Sequence, residues 1–104
     1  MKANDGITVN GNTLRVAGEL GPDNESPFDE ATRKLLASQE NPLVVDLSGV
    51  HYVASSYVRH IVTFAIEANR QGLTVVLVAE RRTIRMMELG GLDRLDNVEL
   101  VRAE

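Results

Sequence analysis

Strand-like patterns occur at five places along the chain, and each of them is short. Two β-like runs flank Asn10-Gly11, a pair that strongly favours a β-hairpin. Two runs of consecutive apolar residues are typical of buried parallel strands, and a last run alternates as an edge strand does. The predicted strands cover residues 7–10, 13–18, 43–47, 73–78 and 98–101.

Two intervening segments carry apolar residues on one helical face, as helices that pack on a core do, and a third, short helix is predicted before Gly90-Gly91. The first has a start signal, because Ser26 suits the N-cap and Pro27 suits the first helical position. Ser48-Gly49 predicts a turn after the central strand. The predicted helices cover 26–38, 56–72 and 81–89, and the longer connections cover 18–25 and 48–54.

This order of elements, β-β-α-β-α-β-α-β, predicts an α/β fold. We expect a mixed β-sheet of about five strands with helices packed on it. The 104 residues suit one domain, covering 1–104. Apolar residues make up 43% of the chain but aromatic residues only 4%, so the core must be largely aliphatic.

The composition excludes several classes of function. No cysteine is present, which removes disulfides, thiolate metal sites and cysteine nucleophiles. No apolar run approaches the roughly 18 residues of a membrane span, and residues 1–6 lack the apolar segment of a signal peptide. We therefore expect a soluble cytoplasmic protein without membrane insertion.

Charge is unevenly distributed along the chain. The formal net charge is −4; residues 1–52 hold four basic and eight acidic side chains, and residues 53–104 hold seven of each. In the second half, Arg81, Arg82 and Arg85 lie close together. Because no aromatic residues are interleaved with them, we interpret the cluster as mixed solvated surface and expect no direct binding of nucleic acid.

Catalytic patterns are weak. Ser55, His51 and Asp46 have the residue types of a hydrolase triad, but no Gly-x-Ser-x-Gly elbow surrounds Ser55. Gly90-Gly91 ends a helix instead of opening one as a phosphate-binding loop does, and no histidine or carboxylate cluster has metal-ligand spacing. We expect a binding or switching module with no cofactor, and not an enzyme.

The serine pair Ser55-Ser56 lies where the central strand leads into the second helix. One interpretation is that a hydroxyl caps the helix, which is worth about 1 kcal/mol. The other is phosphorylation, because the free N–H groups and the dipole of a helix N-terminus stabilise an anion. A phosphate there would add about 1.5–2 negative charges beside any docked partner. Both interpretations are open at this point.

The chain resembles the STAS domain family, and within it the small bacterial anti-sigma factor antagonists. The most specific segment is Asp-Leu-Ser-Gly-Val at 46–50, which is followed at the family's distance by the serine pair. The resemblance covers nearly the whole chain. The other matching segments are weaker alone: Gly-Glu-Leu at 18–20, Gln-Gly-Leu at 71–73 and Leu-Gly-Gly-Leu-Asp at 89–93.

The resemblance implies a protein of a partner-switching pathway. In that family, the unmodified antagonist binds an anti-sigma factor, which is often also its serine kinase. Phosphorylation at the helix entry releases this partner, and a PP2C-type phosphatase resets the switch. By position, Ser55 is the implied phosphoacceptor and Ser56 the alternative. The implied partner-binding residues are His51, Val53, Ala54, Ser56, Tyr57, Arg59 and His60.

The chain departs from the family pattern at three positions. Ala54 and Tyr57 stand where the family has an aspartate and a glycine, and Gly21 stands where it often has an aspartate. Tyr57 predicts either an amphipathic ring at the interface or a partly buried helix residue. These departures motivate an alternative, a non-phosphorylated STAS scaffold subunit of a larger signalling or lipid-transport complex. A third hypothesis is a STAS domain that binds a small ligand or nucleotide.

Overall fold

The computed structural model describes residues 6–103, and the other residues of the predicted 1–104 domain lie outside this range. Within it, strands and helices follow one another in the predicted order. Two short 3₁₀ turns, Pro22–Asn24 and Leu92–Arg94, are additional. The elements are β1 (Ile7–Asn10), β2 (Thr13–Leu20), α1 (Glu25–Ala37), β3 (Leu43–Val53), α2 (Ser56–Arg70), β4 (Val75–Ala79), α3 (Arg81–Leu89) and β5 (Val98–Arg102).

The sheet has the order β1-β2-β3-β4-β5, so each strand is added beside the one before it. β1 and β2 form an antiparallel hairpin, and the later neighbours pair in parallel. Because parallel crossovers are right-handed, a sheet that grows in one direction carries its crossover helices on one face. The prediction of an α/β fold with a mixed five-stranded sheet is confirmed.

The core lies between the sheet and the helices. Alternate residues of β3 and β4 are buried in it, including Val45 and Leu77, which are backbone partners. Aromatic rings come from α1 and α2 as Phe28, Tyr57 and Phe64. The other buried side chains are mostly aliphatic, as the composition predicts.

β3 is longer than the sequence predicts. Pairing continues through Ser48-Gly49 to Val53 and does not end at Leu47 in a turn, because β2 runs alongside and supplies backbone partners. The register slips twice, and each slip places one extra β3 residue in the ladder, which is a β-bulge. The pairing steps from Arg15–Asp46 to Ala17–Gly49, and then from Gly18–Val50 to Glu19–Tyr52.

The two bulges change the side-chain period of β3 from two to three. Leu47, Val50 and Val53 are buried, and the residues between them face outward. His51 and Tyr52 are therefore both exposed, although a regular strand would turn one of the two into the core.

The start of α1 also differs from the prediction. The helix begins at Glu25, so Ser26 and Pro27 lie inside its first turn and not at the N-cap and first helical positions. The 3₁₀ turn Pro22–Asn24 precedes it. The physical reason is that Pro22 already supplies the fixed φ that a helix start needs.

The remaining boundaries agree with the predictions to within two residues. α3 has the predicted bounds, β2 and β5 run slightly further, and β4 is shifted toward the C-terminus. Gly72 follows the end of α2 with φ of +77°, a left-handed conformation that glycine adopts without strain. The helix therefore ends at Arg70, two residues before the predicted end at 72.

Candidate partner-docking site

The candidate site lies at one edge of the sheet, where three parallel strands end. β2, β3 and β4 end at Leu20, Val53 and Ala79, and each leads toward a helix. The carboxyl ends of parallel strands meet at the same edge, which is where α/β proteins usually place their sites. The serine pair and the arginine cluster, distant in sequence, therefore share this edge.

Ser55 and Ser56 open α2, and both side chains are exposed. Ser55 is at the N-cap position with φ of −60° and ψ of −26°, and its side chain makes no capping hydrogen bond. The first turn is closed by backbone groups instead, since the Tyr57 N–H donates to the Ala54 carbonyl at 2.9 Å. The capping interpretation of the serine pair is therefore wrong, and neither hydroxyl is engaged with the described residues.

Tyr57 is a core residue. Its side chain is 0% exposed, and its hydroxyl donates a 2.7 Å hydrogen bond to the Gly21 carbonyl. Its ring meets Phe28 edge to face, with the ring centroids 5.2 Å apart. Burial, reinforced by the charges of Glu25 and Asp29, raises the pKa of Tyr57 to about 12. No partner can touch this ring while the fold is intact, which corrects its prediction as a contact residue.

Val53 is also predicted to contact a partner, and it too is buried. The period of three in β3 turns it into the core, where it is 4% exposed. Ala54 is half-buried, and its backbone is occupied on both sides. Its N–H donates to the Leu20 carbonyl at 2.8 Å, and its carbonyl accepts from Tyr57. A partner at the junction of β3 and α2 would therefore contact the exposed neighbours of Val53 and Ala54.

His51 and Tyr52 lie on the outer surface of β3 near its end. Tyr52, which the family resemblance does not mark, is 56% exposed. Its only sequence signal is the apolar spacing of three at 47, 50 and 53. His51 borders an open cavity of about 630 Å³. The other lining residues are Glu80, Arg81, Arg82 and Arg85.

Arg59 and His60 lie on the side of α2 that faces α1. Arg59 is exposed and lines an open groove of about 360 Å³ between the two helices. The His60 ring places Nδ1 3.3 Å from Asp29 Oδ1 and Nε2 3.6 Å from Glu25 Oε1. Only 28% of the His60 side chain is exposed. It therefore connects α2 to α1, and a partner would reach it only at the rim.

A comparison with known protein families agrees with this architecture. The family model described as Mlab, STAS domain matches residues 4–102. The chain belongs to the STAS domain family. No curated protein matches it. STAS domains typically mediate protein interactions.

Two further findings concern the part of this STAS domain that the structure describes. Within residues 6–103, no helix combines the length and apolar character needed to cross a bilayer. Across the same residues, no three histidine or carboxylate side chains are grouped so that they could hold a metal ion.

The Asp-Leu-Ser-Gly segment of the STAS domain has a structural role at the first bulge. Asp46 Oδ1 accepts hydrogen bonds from the Ser48 amide at 3.0 Å and hydroxyl at 2.7 Å, and Oδ2 lies 3.2 Å from Arg15 Nε. Burial alone would raise the pKa of Asp46, but these bonds outweigh it and the pKa is lowered. His51 lies about 15 Å further along the strand. Asp46 therefore forms no triad with it.

Asp46→Asn is expected to lower the free energy of unfolding at pH 7 by about 1–2 kcal/mol, because charge-assisted hydrogen bonds are lost. The difference should disappear in acid. The folded-state pKa is lowered, so the stabilisation is present above the usual aspartate pKa of about 3.9 and is lost as the pH falls through the lowered value. Urea unfolding followed by circular dichroism at several pH values measures this. Asp23→Asn, at an exposed site, is the control, and equal losses at acid and neutral pH would contradict the explanation.

Proposed function

We propose that this STAS domain is an anti-sigma factor antagonist-like module of a bacterial partner-switching pathway. It binds an anti-sigma factor or serine kinase over the edge formed by β3 and α2, and phosphorylation of Ser55 releases that partner. One observation carries the proposal. Two serine hydroxyls are exposed at a helix N-terminus and are not engaged with the described residues.

Phosphorylation of Ser55 would change the charge of the surface and leave the scaffold in place. The first turn of α2 contains no acidic residue, and the helix dipole and N–H groups there favour an added anion. The entry to α2 is held by the Tyr57 hydroxyl and by backbone hydrogen bonds, and not by the Ser55 side chain. The added charge of about −1.5 to −2 would act on the partner through repulsion and desolvation.

In this proposal the chain is a substrate and not a catalyst. The partner kinase transfers a phosphoryl group from ATP to Ser55 Oγ and releases ADP, while the hydroxyl proton passes to a base of the kinase. A PP2C-type phosphatase would reverse the modification by hydrolysis. Neither histidine is placed to act as a base for Ser55, because His60 faces the carboxylates of α1 and His51 lines the arginine cavity.

The alternative proposal is a STAS scaffold that phosphate does not switch, as a subunit of a larger signalling or lipid-transport complex. Two observations favour it. Ala54 places no carboxylate beside Ser55 for a kinase to recognise. Tyr57, in place of the family's glycine, makes the helix entry part of the packed core.

One phosphoryl group on Ser55 is the expected modification in the cells from which the chain comes. The protein is purified from them with phosphatase inhibitors and measured by intact mass and phosphopeptide mapping. Wild type and Ser56→Ala should gain the mass of one phosphoryl group, whereas Ser55→Ala should not. A mass gain that is retained in Ser55→Ala and lost in Ser56→Ala would identify Ser56 as the phosphoacceptor. No gain in any of the three proteins would favour the scaffold.

A further inference from the structure

The outer face of α3 concentrates positive charge. Arg81, Arg82 and Arg85 are all exposed, and their spacing places them on one side of the helix. Among the described residues, none of the three has an ion-pair partner. With His51 of β3 they line the cavity of about 630 Å³, to which Glu80 contributes the one acidic side chain.

These arginines do not stabilise the helix that carries them. α3 begins at Arg81, and the positive end of the helix dipole favours acidic residues, yet its first turn contains none. Arg81 and Arg82 lie in this first turn and are therefore opposed by the dipole, and the three guanidinium groups repel one another. Residues that oppose their local electrostatics are expected where a function requires them.

Two exposed apolar side chains are close in sequence to residues that line this cavity. Leu89, one turn beyond Arg85, is 77% exposed, and Tyr52, next to His51, is 56% exposed. Arginine and tyrosine are the residue types enriched at the energetic centres of protein interfaces. This surface therefore offers cationic and apolar contacts side by side.

We propose that this arginine face, formed by His51, Arg81, Arg82, Arg85 and Leu89, binds an acidic segment of the partner protein. A planar guanidinium donates two parallel hydrogen bonds to one carboxylate, which makes arginine well suited to such a segment. Leu89 would pack against an apolar side chain of the same segment. The inference rests on the proposed function, because it assigns a chemistry to the partner that docks at this edge.

The arginine face and the serine pair belong to one surface. The C-terminal end of α3 meets the first turn of α2, since a Cβ added to Gly90 would overlap Val58 Cγ1. A partner on the serine end of α2 can therefore extend onto α3. An acidic segment held by the arginines would also be repelled by a phosphate on Ser55, which connects the chemistry of the partner with the proposed switch.

An anionic lipid surface fits the arginine face less well. Three arginines fall short of the roughly 4–8 cationic residues typical of segments that bind anionic lipid.

The test uses the full chain and a fluorescein-labelled helical peptide with glutamates along one face and leucines along the other. Fluorescence anisotropy should show that wild type binds it and that added salt weakens binding. Replacing Arg81, Arg82 and Arg85 together by glutamine should raise Kd at least about tenfold. A peptide with glutamine in place of glutamate should not bind. Circular dichroism verifies that the triple variant is folded.

The matched control replaces Arg33, Lys34 and Arg70 by glutamine, which removes the same formal charge from exposed positions away from α3. This control should bind the peptide as wild type does. Equal weakening in both triple variants, or no binding by wild type, would overturn the proposal. Arginine-dependent binding to vesicles of phosphatidylglycerol and phosphatidylcholine, or to duplex DNA, that is tighter than binding to the peptide would also overturn it. Arginine-dependent self-association in sedimentation would do the same.

Failure of this inference and failure of the proposed switch give different results. If the peptide does not bind but Ser55 is phosphorylated in cells, the arginine face is wrong and the switch stands. If the peptide binds through the arginines but Ser55 is unmodified in cells, the switch fails and the acidic-partner surface stands.

Discussion

Tyr57→Ala is expected to lower the free energy of unfolding by about 3–5 kcal/mol. The ring is fully buried, packs on Phe28 and fills the space between α2 and the turn that follows β2. Tyr57→Phe should lower it by about 1–2 kcal/mol, because the buried Gly21 carbonyl loses its hydrogen-bond partner. Urea unfolding followed by circular dichroism measures both variants.

Tyr52 supplies the matched control for this prediction. It is 56% exposed on the surface of β3, so Tyr52→Phe should change the free energy of unfolding by less than about 0.5 kcal/mol. A Tyr57→Phe variant as stable as Tyr52→Phe would show that the bond to Gly21 contributes nothing to stability.

The same tyrosine should make the fold sensitive to alkali. Burial, together with Glu25 and Asp29, raises the pKa of Tyr57 to about 12. Since this lies above the unfolded value of about 10, the stabilisation is complete below pH 10 and is lost as the pH rises through the folded value. Tyr57→Phe should remove this alkaline loss of stability, whereas Tyr52→Phe should retain it.

Asn97→Asp is expected to lower the free energy of unfolding by about 3 kcal/mol at neutral pH. Asn97 is 8% exposed, and its side-chain amide donates to the Ala65 carbonyl at 3.0 Å and the Leu73 carbonyl at 3.1 Å. An ionised carboxylate has no hydrogen to donate and would place a buried negative charge against two carbonyl oxygens. Thermal and urea unfolding measure the loss.

Acid should restore part of the stability of Asn97→Asp. A protonated carboxyl can again donate one hydrogen bond, so the folded-state pKa is raised above the unfolded value and the destabilisation decreases below it. Asn10→Asp, on an exposed position of β1, is the control, with an expected change within about 0.5 kcal/mol. A loss in Asn97→Asp that is the same at all pH values would contradict the assignment to a buried charge.

Elements with a strong internal period could be predicted from the sequence. α3 is the clearest case, since Thr83, Ile84 and Met87 face the core while the arginines face solvent. The architecture followed from similar reasoning, because consecutive right-handed βα units leave few possible topologies for a sheet of this size.

β3 could not be predicted in full because its length depends on a neighbouring strand. Ser48-Gly49 has the composition of a turn, but β2 runs beside it, and the Asp46 carboxylate holds Ser48 in the bulge. A local pattern contains neither contact. For the same reason, the outward orientation of both His51 and Tyr52 contradicts the period of two that a strand normally shows.

The sequence indicates where the candidate site lies, but not which side chains form its surface. The serine pair lies at the start of α2, as its sequence context indicates. Tyr57 turns inward because its partner carbonyl, Gly21, lies 36 residues earlier in the chain. The arginines of α3 gain a neighbour in His51 only through the fold, so composition alone led to their interpretation as ordinary solvated surface.

The Tyr57–Gly21 hydrogen bond ties the entry of α2 to the turn after β2. Under the proposed switch, we therefore expect this part of the surface to keep one shape when Ser55 is phosphorylated. Modified and unmodified forms would then differ to a partner almost only in charge. A charge signal at an exposed surface reaches about 8 Å at physiological ionic strength and about 3 Å in 1 M salt. Under the proposed switch, the difference in partner affinity between the two forms would therefore shrink as ionic strength rises, without any change in kinase activity.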